Sequence, residues 1–348
     1  MRYSLDKISQ ELGVSKTTVS MILNGKARQY AISRKLEEQV KEFCRTKNYA
    51  INFHARQMRS QRAESVGVLI PEAPGGELPT PFSDVNITEI IGGISNAAFT
   101  KGFRFSTQGY SDSYQWKQVY DWINSREVDG IITYGWLPRN IIAEMTKRQL
   151  PAVAISEEPA LGLPTVTVDD YDGACKITEM LVSEGHRDFI YITGTVVAYT
   201  SMERQRAFLS IMEKYNIPFY KKDIISANFM EESAYAQMKK KVAEKRFKAT
   251  AIVCGNDMMA IGAMRALKEA GFSIPQDISV TGADDINLCN YVSPRLTTFT
   301  RHLREIGETA FTLLYDIIDG KSAYDTHLTL PTKLVIRESS GRAPGVPE

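Results

Sequence analysis

Apolar residues recur at two different periods along the chain, and the change of period divides it. Over residues 5 to 24, LDKISQELGVSKTTVSMILN, the residues Leu5, Ile8 and Leu12 return at three- and four-residue steps and predict a first helix. Gly13 ends it, since glycine takes the left-handed backbone that closes a helix, and Ser15 suits the cap of a second helix from Lys16 to about Leu23. A third helix is expected from about Ser33 to Lys47. In the second helix Val19, Ile22 and Leu23 face inward, which leaves Lys16, Thr17, Ser20 and Met21 outside, where a major groove could receive them. The short hydroxyls of Ser15, Thr18 and Ser20 suit phosphate contacts. An ordinary helical hairpin with a polar surface would show the same periodicity.

From Ser65 onward the pattern is different. VGVLIP (66 to 71), GIITYG (130 to 135), AVAIS (152 to 156), FIYITG (189 to 194), TAIVCG (250 to 255) and ISVTG (278 to 282) are short strand-like runs. Amphipathic stretches at 87 to 101, 115 to 126, 173 to 185, 203 to 215 and 257 to 271 separate them. Such alternation builds parallel sheets covered on both faces by helices, with ligands bound beyond the carboxyl ends of the strands. The strand count is enough for two lobes. The expected fold class is a small all-α helix-turn-helix domain followed by an α/β two-lobed domain with parallel sheets.

Charge follows the same division. Residues 1 to 62 hold 13 Lys and Arg against 5 Asp and Glu, a net of +8; the whole chain holds 42 and 41, so the remainder holds 29 and 36, a net of −7. The basic head is what neutralising several phosphates requires, and its binding to a polyanion should weaken steeply with salt. With 348 residues and 43% hydrophobic content the chain can form two or three packed domains, and no run approaches the roughly 18 apolar residues of a membrane span. A helix begins at the N-terminus without an apolar signal region, so a cytoplasmic location is expected. Cys44, Cys175, Cys254 and Cys289 have neither metal-ligand nor disulfide spacing, which fits a reducing compartment; no metal or cofactor is expected.

The stretch VSKTTVSMILN, followed by a third helix and by NYAINFHARQMRSQ at 48 to 61, resembles the headpiece of LacI/GalR-type bacterial regulators, whose pattern is roughly VSxxTVSxxLN, then a tyrosine, an asparagine and ARxL. Here the later positions are Tyr49, Asn52, Ala55, Arg56 and Met58. The resemblance implies a headpiece over 1–50, a hinge helix and linker over 51–62, and DNA contacts from Ser15, Lys16, Thr17, Thr18, Ser20, Met21, Asn24, Asn52, His54, Ala55, Met58 and Arg59. Met58 stands where the family usually has a leucine wedge that kinks the duplex; simple hinge packing is the other reading. Two departures matter. Ile51 replaces the usual proline before Asn52, so the hinge is less preorganised, and Met21 stands where many members carry an arginine, so base reading rests more on Lys16 and Thr17. Lys16 can reach guanine acceptors or a phosphate.

The same resemblance continues through IPE, GGISNAAFTKGF, DGIITYG, VTVDDYDGA, EGHRDFIYITG, ERQRAF, CGNDMMAIGAMRALKEAGFSIPQDISVTGADD and PRLTTFT. It implies a periplasmic-binding-protein-like sensor over 63–340, with an N-lobe of about 63–167 and 299–328, a C-lobe of about 168–298 and 329–340, and three crossings near Val168, Thr298 and 328. Effector contacts implied by the matched positions are Asn86, Arg204, Phe229, Asn256, Asp284 and Arg301. Asp257 is expected to cap the helix that follows it, and Asp170 and Asp285 to be structural turn residues. Arg301 replaces a residue more often neutral in sugar-sensing relatives, and in the cleft it would favour an acidic or phosphorylated effector. The whole reads as a bacterial, cytoplasmic repressor, nucleoid-associated when bound to DNA. It would act as a homodimer on a near-palindromic duplex operator, under control of a small molecule.

A sugar or sugar derivative leads as effector, with a purine or nucleoside second. A carbohydrate-binding or carbohydrate-processing α/β protein is the alternative from another class. The acid pairs Asp169-Asp170 and Asp284-Asp285 could serve glycoside hydrolysis, but adjacent residues at a strand end point apart. No nucleophile elbow, phosphate loop, dinucleotide fingerprint or HExxH pair occurs, so catalytic residues are not expected. His186 is expected to pack at a helix-to-strand turn. The lysine run KKKVAEKRFK at 239 to 248 reads as a solvated helical face, and the tail at 341–348 as loose.

Overall fold

The computed structural model describes residues 4–23, 25–49, 62–71, 84–110, 120–122, 124–125, 127–135, 139–159, 162–195, 198–245 and 247–345. The chain divides into two compact units, Met1–Ala63 and Glu64–Glu348. The expected hinge helix, with Asn52, His54, Ala55, Met58 and Arg59, lies outside the described residues, as does Asn24.

In the first unit α1 (Leu5–Leu12), α2 (Lys16–Leu23) and α3 (Arg34–Thr46) pack around Ile8, Val19, Ile22, Ala27, Val40 and Cys44. Each boundary has a local cause. Ser4 accepts from the Lys7 amide to start α1, and Gly13, at φ 62°, ends it by returning its amide to the Ser9 carbonyl. Ser15 accepts from the Thr18 amide at 3.0 Å at the start of α2, and Ser33 caps α3.

The second unit holds two parallel sheets. β1 (Ser65–Pro71), β2 (Arg104–Tyr110), β3 (Gly130–Tyr134), β4 (Ala152–Ile155), β5 (Thr165–Val168) and β11 (His327–Leu330) form the first, in the order β11-β5-β4-β3-β1-β2. β6 (Phe189–Thr193), β7 (Ile224–Ser226), β8 (Ala251–Cys254) and β9 (Ser279–Thr281) form the second, in the order β7-β6-β8-β9. All pairings within both sheets are parallel. A separate antiparallel pair, β10 (Thr298–Thr300) with β12 (Lys333–Val335), completes the unit. The chain passes between the sheets after Val168, around Thr300 and after Leu330.

Helices cover the sheets: α4 (Val85–Thr100), α5 (Arg139–Lys147) and α10 (Leu303–Ile318) accompany the first, and α6 (Asp170–Ser183), α7 (Tyr199–Lys214), α8 (Glu231–Val242) and α9 (Asp257–Glu269) the second. Of the helix expected at 115 to 126, only residues 120–122 and 124 are described as helical. The lysine run is helical only to Val242; Lys239 pairs with Glu269, and Lys241 with Asp223 and Glu244.

The tail is not loose where it is described. Ser339 Oγ donates to the Val280 carbonyl at 2.6 Å, the Gly341 amide donates to Ser279 Oγ at 3.1 Å, and the Ala343 amide donates to the Glu184 carbonyl at 2.9 Å. Composition argued against packing, but backbone amides and carbonyls suffice to dock a segment. His186 is fully buried, its ring between Thr250 Oγ1 and the Gly341 carbonyl, so it holds this tail in place as well as filling its turn.

Glycine sets the closeness of α4 and α10. A β-carbon on Gly307 would overlap the Ile90 carbonyl, and one on Gly93 would overlap the Arg304 carbonyl, so each helix backbone rests in a notch of the other. Gly307→Ala should therefore force the helices apart and cost about 1–3 kcal/mol, read as a lowered urea midpoint at unchanged m-value. A wild-type midpoint would show that this crossing is not tight.

Candidate functional site

In the first unit the outer face of α2 carries the expected groups. Ser15, Lys16 and Thr17 are exposed, while Thr18, Ser20 and Met21 are half-buried. The Ser15 and Thr18 hydroxyls lie 2.8 Å apart and bond each other, so each keeps part of its capacity for a phosphate. One feature was not visible in the helical spacing: Lys16 forms an exposed ion pair with Asp6 on α1. Exposed pairs are weak, so a phosphate or base can take over this amine at small cost.

In the second unit, four of the six residues expected to meet an effector, Asn86, Arg204, Asp284 and Arg301, join one network at the carboxyl ends of the strands, and the other two, Asn256 and Phe229, bond each other next to Gly255, whose carbonyl accepts from Arg204. Arg204, near the start of α7, donates from Nε to Asp170 Oδ1 at 2.8 Å, from Nη2 to Asp284 Oδ1 at 2.9 Å, and from Nη1 to the Gly255 carbonyl. Arg301, just beyond β10, donates from Nη2 to Ser156 Oγ at 3.0 Å and to Asp170 Oδ2 at 3.2 Å, and its Nη1 lies 3.5 Å from Asp284 Oδ1. Asn86, in the first turn of α4, donates to Asp284 Oδ2 at 2.7 Å. Asn256 donates to the Phe229 carbonyl at 3.1 Å, and a β-carbon on Gly194 would overlap the Phe229 ring, so only glycine just past β6 leaves room for the ring.

The four charged members, Arg204, Arg301, Asp170 and Asp284, are each at most 3% exposed. Ions this deep are tolerated only when paired and hydrogen-bonded. Burial by itself disfavours charge on Arg204, but Asp170 and then Asp284 outweigh it and hold the guanidinium firmly protonated. Two cations thus meet two anions.

Several expectations change. Asp170 is no mere turn residue: it begins α6 and bridges both arginines. The cap expected of Asp257 falls to Asn256, whose side chain accepts from the Met259 amide at 2.8 Å. Asp257 instead accepts from Thr298 Oγ1 and the Ile286 amide, and burial, then the nearby Asp284 charge, raise its pKa to about 7. Arg301 does enter the cluster, but Asp170, Asp284 and Ser156 already occupy it, which removes the argument for an acidic effector. The acids of each pair do diverge, since Asp285 pairs with Arg337 and Asp169 caps α6.

Backbone strain collects at the same place. Ser156, Phe229 and Asp284 have φ of 60°, 63° and 118°, a region that disfavours side chains beyond glycine, and such positions concentrate at functional sites.

A small helical head with an exposed basic recognition helix and a two-sheet body with a polar cluster at its strand ends define a ligand-responsive DNA-binding regulator. Residues 178–340 match the model of a periplasmic binding protein-like domain. The chain is 30% identical to the HTH-type transcriptional repressor PurR of Yersinia pestis (strain Pestoides F), over 98% of each chain. Its fold matches that of the lac repressor dimer bound to operator and the anti-inducer ONPF, with a TM-score of 0.86, 23% identity, and coverage of 98% of this chain and 100% of that one. A LacI family regulator from Enterococcus faecium with bound ribose is 25% identical, with a TM-score of 0.67, covering 80% of this chain and 98% of that one. The chain belongs to the LacI/GalR-type family of bacterial transcriptional regulators. It is a DNA-binding repressor controlled by a small-molecule effector, and not an enzyme.

Glu157, beside Ser156 at the end of β4, is 6% exposed, and burial raises its carboxyl pKa to about 7. The sign follows from linkage: the folded state holds this proton more tightly, so stability falls as pH rises from 4.5 to about 7. Glu157→Gln should flatten that slope and stabilise the protein at neutral pH, measured as urea midpoints at about pH 5 and about pH 8. Parallel pH curves for the two proteins would contradict a buried, protonated Glu157.

Proposed function

We propose that the effector is a small uncharged sugar or sugar derivative, bound at the strand ends beside Asn86, with one face on Phe229 and its hydroxyls directed at Asp284 and Arg204. The observation that carries this reading is the charge balance of the cluster: both guanidinium groups already face carboxylates at 2.8–3.5 Å, so a ligand meets aligned donors and acceptors but no unbalanced charge. Asn256 serves this site by fixing Phe229. A second reading, a purine base or nucleoside, is favoured by the flat aromatic ring and by the repressors named PurR among the relatives. Thermal unfolding of the full chain with ribose, cellobiose and adenine separates the two. A melting point that rises with sugar concentration supports the first, and a rise with adenine alone overturns it in favour of the second.

The regulator works in this reading as a cytoplasmic homodimer, each head on one half of a near-palindromic operator, because two-fold symmetry in the protein matches two-fold symmetry in the site. The lac repressor whose fold this chain shares is a dimer on its operator. Ser15, Thr18 and Ser20 hold phosphates, and Lys16, Thr17 and Met21 face base edges. Asn24 and the segment with Asn52, His54, Ala55, Met58 and Arg59 are assigned to DNA from the sequence pattern.

Lys16→Ala should weaken binding to a site selected from random duplexes by about 1–3 kcal/mol while hardly affecting bulk DNA. Equal losses on both would reduce Lys16 to a phosphate contact.

A further inference from the structure

We propose that the hydrogen bond from Asn86 to Asp284 is a latch between the two lobes, and that the effector acts by taking the carboxylate oxygen that Asn86 holds. This rests on the reading of the strand-end cluster as the effector site. The two residues stand 198 positions apart, Asn86 on a helix that covers the six-stranded sheet and Asp284 just beyond β9 of the four-stranded sheet. Neither is free to adjust. The Asn86 amide donates to Asp84 Oδ1 at 2.8 Å, which fixes the first turn of α4. Asp284 is held at φ 118°, its amide on the Phe299 carbonyl and its Oδ1 on Arg204.

The division of labour within Asp284 is the core of the argument. Oδ1 belongs to Arg204, itself anchored by Asp170 and the Gly255 carbonyl, so a ligand cannot take it without stranding a buried cation. Oδ2 faces Asn86, a neutral amide whose release strands no charge. A ligand hydroxyl or ring N–H that donates to Oδ2 replaces one donor by another and frees α4 from the second sheet. Ligand and latch then compete for one oxygen, and a protein without the latch binds ligand more tightly because none of its binding energy goes into opening. A direct ligand contact from Asn86 would give the opposite sign.

The test uses the full chain and the variants Asn86→Ala and Asn86→Asp. Amide exchange without ligand should quicken by about tenfold or more in Asn86→Ala, both in the first turn of α4 and in residues 283–301. Asn86→Asp should exchange faster still at neutral pH, since it sets a carboxylate against Asp284. Quickening confined to α4 would make Asn86 a local helix residue and overturn the latch. In a second arm, whichever of ribose, cellobiose or adenine stabilises the wild type should bind Asn86→Ala about tenfold more tightly. Weaker binding would overturn the proposal and make Asn86 a ligand contact. If none of the three stabilises the wild type, the effector reading fails on its own, while the exchange experiment still decides the latch.

Discussion

The second unit depends on how Asp170, Asp284, Arg204 and Arg301 neutralise one another out of water. Each is nearly fully buried, and the desolvation of any one alone would cost several kcal/mol. Their pairing stabilises little in net terms. Its effect is to make alternatives costly, because any displacement that separates one member leaves a buried charge without a partner. The cluster therefore fixes the mutual position of the segments that carry it: the start of α6, the first turns of α7, the loop after β9 and the strand β10. Through Ser156 and Asn86 it also reaches the first sheet.

That rigidity explains how strained backbone persists nearby. Asp284 at φ 118° and Ser156 at φ 60° are disfavoured by on the order of 1–3 kcal/mol each, and both side chains bond an arginine of the cluster. The Phe229 ring gains its place differently. Only glycine at 194 lets it lie on the strand end, and Asn256 holds its carbonyl. Charge pairing and close backbone approach thus aim three side chains into one small region.

The helices of the head were legible because their signals are local: a 3.6-residue period, a glycine that can turn left-handed, and serine caps within three residues of their targets. The longer buried strands were legible as Val- and Ile-rich runs. What escaped was short, polar or at an edge. β2 reads RFSTQGY and ends its sheet, β7 and β12 have three residues each, and β5 reads TVTV. At the site, residues just after apolar strands could be found from pattern and resemblance together. The bridging role of Asp170 is hidden from the sequence because its partners Arg204 and Arg301 lie 34 and 131 positions away, and no local pattern encodes such pairings. The docking of the tail is hidden for a related reason, since its bonds run through its backbone atoms, which composition does not report.

A limit on regulation follows from the same geometry. An effector shifts a two-state protein only by the difference in its affinity for the two states. If the states differ in whether Oδ2 of Asp284 meets Asn86 or ligand, the difference is of the size of one charge-assisted hydrogen bond, about 1.5–3 kcal/mol, which matches the usual range of allosteric coupling, about 1–3 kcal/mol. The Arg204 half of the cluster, common to both states, anchors the site without adding to that difference. Reciprocity then requires operator DNA to change effector affinity by the same factor as effector changes operator affinity. One neutral amide poised on a fixed carboxylate is thus enough to carry the response, while the four buried charges keep the rest of the cleft unchanged.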